Sequence, residues 1–69
     1  MTYRATMTYQ AIRNLLVTEC EMTKNDDFED IVDEVIGLLA DSCMPTTDAQ
    51  WAECRRIARV DAERFATFG

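Results

Sequence analysis

The sequence predicts an all-α protein, a compact three-helix bundle with short connections, and favours a helical homodimer over a monomer. Three observations carry that expectation. Apolar residues recur at helical spacing in three separate segments, capping signatures stand before two of them, and no segment sustains strand alternation. The pattern places helices at roughly 8–22, 27–43 and 48–66 of a single domain spanning 1–69. At 69 residues, one core only just offsets the entropy of ordering the chain.

In the first segment Tyr9, Ile12, Leu15, Leu16, Cys20 and Met22 share one side at about 100° per residue, with Gln10, Asn14, Thr18 and Glu21 opposite. The break at Thr23-Lys24-Asn25 leads into the second. There Asp26 and Glu29 have the spacing of a capping box, and Asp27, Glu29 and Asp30 crowd the first turn, where the helix dipole favours negative charge. Phe28, Ile31, Val32, Val35, Ile36, Leu38, Leu39 and Cys43 cover an arc of about 160°, wider than one neighbour needs, so this helix is expected at the centre. Gly37 lies in the middle of its polar arc.

Pro45 ends the second helix, because the residue before a proline is driven from helical angles. Thr47 and Gln50 form a second capping box and start the third helix. Its apolar side is read as Trp51, Cys54, Ile57, Ala58, Ala62, Phe65 and Phe68, the alanines allowing close approach of a neighbour. Val17, Val60 and Phe68 are left over as apolar groups suited to a dimer or docking patch.

Enzyme chemistry lacks its parts. There is no histidine, one serine and no glycine-rich phosphate loop, so the expectation is a non-catalytic protein without cofactor. No metal site is expected either. The acids at 26–34 lack the glycine and alternating oxygen ligands of a calcium loop, with Ile31 and Val32 interrupting them. Cys20, Cys43 and Cys54 contain no C-x-x-C pair and fall on apolar stripes, which predicts reduced, buried thiols. The N-terminal segment lacks the basic start and apolar core of a signal peptide. The longest apolar run, Val35 to Ala40, is too short to span a bilayer, so a cytoplasmic protein with no membrane partner is expected.

Two acids interrupt the apolar stripes. Glu19 falls within the first, and Asp61 falls between Ile57 and Phe65 on the third. One reading pairs them locally, as Asp61 with Arg64, or leaves them at the stripe edge; the other has them fix the register of a bundle or dimer.

The charge map is the most informative feature. Thirteen acids and seven bases give −6, but the distribution is uneven. Residues 25–54 carry nine acids and no base, whereas residues 55–69 carry four bases and two acids. Asp26, Glu29, Asp30, Asp33, Glu34 and Asp41 fall opposite the second helix's core side, with i+3 and i+4 neighbours about 5–6 Å apart. Such a row has the character of a line of phosphates and fits a partner protein with a basic groove; a solvated, solubilising face explains it equally well.

Arg55, Arg56 and Arg59 form a basic strip on the third helix. Helix, turn and arginine-bearing helix outline a helix-turn-helix DNA reader, the alternative reading. The acidic balance and the absence of Asn or Gln beside the arginines disfavour direct nucleic-acid binding. A small structural or oligomeric subunit is the further alternative.

Asp41-Ser42 resembles the Asp-Ser pair of acyl carrier proteins, small acidic helical proteins whose serine carries a phosphopantetheine arm. The likeness covers two residues and departs from that family in position, since here the serine ends a helix instead of beginning one. In size, charge and helicity the chain resembles phage-encoded inhibitors of host defence, anti-CRISPR proteins among them. That resemblance implies an inhibitor or adaptor of a host nucleic-acid or defence complex, using the acidic helix as a phosphate mimic.

Overall fold

Thr8 starts the first helix by accepting a hydrogen bond from the Ala11 N–H through its hydroxyl, at 3.2 Å. The structure, a computed structural model, describes residues 7–68. Three α-helices, α1 (Tyr9–Thr18), α2 (Phe28–Cys43) and α3 (Asp48–Phe68), pack together, and the described residues include no strand.

α1 is shorter than the periodicity implies, ending at Thr18 instead of running to 22. Its last turn loosens. The Cys20 N–H donates to Leu15 O at 3.2 Å, the Met22 N–H donates to Leu16 O at 2.9 Å, and Glu21 adopts a left-handed φ of 54°. Cys20 and Met22 still pack against the core, but from the connection instead of from a helix face. Helical spacing and a turned chain bring the same side chains inward, so periodicity alone overruns the end of the helix. Glu19 thereby sits at the helix C-cap, exposed, and not within a buried stripe.

α2 is capped differently from the sequence reading. Asp27 occupies the N-cap without a side-chain cap bond, and Asp26 accepts from the Thr23 N–H at 2.7 Å. Asp26 therefore builds the turn before the helix, where the Asp26 N–H returns to Thr23 O at 3.1 Å. At the other end Met44 takes a left-handed φ of 49° directly before Pro45 and closes the helix through its N–H to Ala40 O.

The cap of α3 follows expectation in one half. The Gln50 N–H donates to the Thr47 hydroxyl at 3.1 Å, while the Gln50 side-chain oxygen accepts from the Thr46 N–H at 2.8 Å, one residue further back than in a reciprocal box. α3 continues to Phe68, two residues beyond the sequence-drawn end.

α2 and α3 form the principal pair, antiparallel across the connection 44–47, and α1 lies over both. The long dimension of 36 Å follows from α3, whose 21 residues alone extend about 31 Å at 1.5 Å per residue. Ile12 and Leu16 of α1 meet Ile31, Val32, Val35 and Leu39 of α2 and Cys54, Ala58, Ala62 and Phe65 of α3 in one core. Both alanines are wholly buried, so the α3 face is flat where α2 closes on it. Trp51 and Phe68, assigned to this stripe from sequence, lie at its two ends and are 36% and 79% exposed. None of the three cysteines is in a disulfide; Cys54 is buried, and Cys20 and Cys43 are half-buried instead of fully so.

Candidate functional site

α2 carries its acids where the periodicity placed them. Glu29, Asp30, Asp33, Glu34 and Asp41 are all exposed, away from the buried arc of Ile31, Val32, Val35 and Leu39, while Asp26, expected with them, is exposed in the turn before the helix. The tertiary structure divides this set in two. Asp26 is held by the Thr23 N–H, Glu29 faces Arg59 with 3.4 Å between Oε1 and Nη2, and Glu34 accepts from the Cys20 thiol at 3.3 Å. Burial, then the Glu34 hydrogen bond and charge, push the Cys20 thiol up, keeping it protonated and weakly nucleophilic.

Asp30, Asp33 and Asp41 have no ion-pair or hydrogen-bond partner among the described residues. They form one row along α2, about 16 Å from first to last Cα. Gly37 sits in that row, and a Cβ added there would meet nothing within 4 Å, so no neighbouring side chain covers the row at that point.

The arginine strip is partly consumed. Arg56 is paired with Glu53 on its own helix, and the Arg56 hydrogen bond holds the Glu53 carboxyl below its ordinary value. Arg59 is drawn to Glu29 and lies over the Phe28 ring, 5.9 Å from its centroid. Arg55 alone of the three is exposed without such a partner among the described residues. Ser42, of the Asp41-Ser42 pair, lies in the last turn of α2 and begins no helix.

Asp61 is 7% exposed and forms no ion pair with Arg64, contrary to the local pairing considered from sequence. The Arg64 guanidinium instead lies 5.8 Å from the centre of the Tyr9 ring, whose hydroxyl is buried without a hydrogen-bond partner among the described residues. Burial raises the Asp61 carboxyl above its ordinary value, and the positive charge of Arg64 opposes that rise. Among the described residues, no three His, Cys, Asp or Glu side chains converge as a metal set would.

A second surface was not assembled by sequence reasoning. A groove of 420 Å³ opens between α1, the connection before α2 and the end of α3, bordered by Arg13, Val17, Met22, Lys24, Phe65 and Phe68. Its members come from three distant stretches, and only the leftover character of Val17 and Phe68 hinted at it.

No protein-family model, curated protein or solved structure matches this chain. Among the described residues no helix is long and apolar enough to cross a membrane.

Proposed function

We propose that this chain is a non-catalytic protein-interaction module, an inhibitor or adaptor that presents the acidic row of α2 to a basic groove on a partner protein. The partner class that fits is a nucleic-acid-binding protein, whose phosphate channel the row would occupy, in the manner of phage-encoded inhibitors of host defence. Such a role belongs in the cytoplasm. The observation that carries the reading is that Asp30, Asp33 and Asp41 stand exposed on one rigid helix face, unneutralised by any described base. Rigid presentation reduces the ordering cost of binding, and a row of one sign steers a complementary partner. The DNA-reading alternative has less support, because two of its three arginines are engaged with Glu53 and Glu29.

The test compares the wild-type chain with a variant in which Asp30, Asp33 and Asp41 are all replaced by lysine. Affinity capture from the native cell, with mass-spectrometric identification, should yield a basic nucleic-acid-binding protein that the variant fails to retain. Adding the wild-type chain should displace nucleic acid from that protein, while both chains keep the same helical circular dichroism. Equal capture by the two chains would sink the acidic-row reading. Tight self-association that persists in the lysine variant would favour a structural subunit.

A further inference from the structure

We propose that the groove between α1 and the end of α3 is a second docking site, for an acidic, apolar segment of a partner protein. The segment's chemistry is a bulky apolar side chain within a residue or two of a carboxylate. Two halves of the groove define that chemistry. The apolar half consists of Val17, 44% exposed, Phe68, 79% exposed, and the half-buried Met22, with the fully buried Phe65 behind them. Met22 is an adaptable neighbour for a side chain of undetermined shape.

The cationic half consists of Arg13 and Lys24, neither of which makes an ion pair among the described residues. In a chain with thirteen acids and seven bases, an available acid is the expected neighbour of any base. Among the described residues that line the groove none is Asp or Glu, the carboxylate next to it, that of Asp26, being engaged by the Thr23 N–H. Arg13 and Lys24 therefore offer two unpaired cations to a carboxylate laid against the groove's apolar wall.

Shape and charge select the occupant. The groove is open to solvent, which suits a chain segment lying across it better than a small molecule, whose sites usually enclose most of the ligand. A second copy of this chain is disfavoured by the repulsion between two molecules that each carry −6, and self-association through the exposed Trp51 beside Glu53 is the competing outcome of the test below. Single-stranded nucleic acid needs several exposed rings for stacking, whereas Phe68 is the one exposed ring bordering the groove.

The experiment is a nuclear magnetic resonance titration of the full, isotope-labelled chain with a short capped peptide of aspartates interleaved with leucine and tryptophan. Saturable shifts should appear at Val17, Met22, Lys24 and Phe68. Replacing the peptide's apolar residues by serine, or its aspartates by lysine, should weaken binding by about tenfold or more, as should the double variant Arg13→Glu with Lys24→Glu. If that variant loses helical signal, the milder Arg13→Gln with Lys24→Gln takes its place, with a several-fold weakening expected. With lysine at positions 30, 33 and 41 the same groove amides should still show saturable shifts, which separates this site from the acidic row. The proposal is overturned by any of four results. These are no saturable shift, an equal response to the serine peptide, tighter binding of an oligothymidine at the same amides, or concentration-dependent shifts there without peptide.

Discussion

Arg59 of α3 reaches Glu29 of α2, with 3.4 Å between guanidinium and carboxylate, and covers the ring of Phe28 one residue away. The contact joins the beginning of α2 to the second half of α3 at the surface of their antiparallel pair. It also explains why the basic strip and the acidic row are not independent: one member of each is spent on the other.

Both side chains are more than half exposed, so the pair contributes little. Arg59→Gln should lower stability by about 0.5–1 kcal/mol in dilute buffer, combining a screened ion pair with a weak cation–π contact. A urea double-mutant cycle with Glu29→Gln measures the coupling, which should shrink as salt is raised. A coupling above 2 kcal/mol that is indifferent to salt would contradict this account.

Asp61 should make stability depend on pH in the opposite sense to a salt-bridged carboxylate. Its folded-state pKa lies above the unfolded value, because burial disfavours the charged form. Between those two values the native state binds the proton more strongly, so stability falls as pH rises through that window and is regained on acidification. Comparing thermal unfolding of the wild type with Asp61→Asn from about pH 7 down to the ordinary aspartate range near 3.9 isolates this contribution from the general relief of acidic repulsion. The asparagine variant should be the more stable chain at neutral pH, with its advantage shrinking as the pH drops. An advantage constant across the range would refute the assignment.

Gly37→Ala should stabilise the protein by about 1 kcal/mol, since the position is exposed inside α2 and the new methyl group meets nothing within 4 Å. Chemical denaturation should show the midpoint rising with an unchanged slope. No gain would mean that Gly37 relieves a helix distortion absent from this structure.

Phe65 is the largest fully buried side chain, at the point where all three helices share a core. Phe65→Ala should cost about 3–5 kcal/mol. A domain of this length has a total stability of roughly 3–10 kcal/mol, so the variant should be largely unfolded at body temperature by circular dichroism. Phe68→Ala is the contrasting control. Its ring is mostly exposed, and the loss should stay below about 1 kcal/mol.

The three helices and the solvent-facing set of the α2 acids were legible in the sequence, whereas the central place expected for α2 is shared with α3, because α1 lies over both. The legible features depend on side chains spaced along one continuous helix, and period 3.6 encodes which face is buried. The end of α1 was not legible. Cys20 and Met22 keep a helical spacing while the backbone beneath them turns away, and periodicity cannot distinguish those cases. The cap of α2 was ambiguous for a local reason: Asp26 and Asp27 are adjacent, and only the turn around Thr23 decides which stands at the N-cap.

By itself, then, the sequence determined the helical class, the buried face of each segment and a charge distribution concentrated between residues 25 and 54. The tertiary structure alone decided which charges remain free. It tied Glu29 to Arg59 and Glu34 to Cys20, left Asp30, Asp33 and Asp41 open, buried Asp61 away from an ion pair, and gathered Arg13 and Lys24 around Val17 and Phe68. The physical reason is range. Hydrophobic periodicity is a property of neighbours along one helix, whereas electrostatic pairing depends on distances of a few ångströms between groups that only packing brings together.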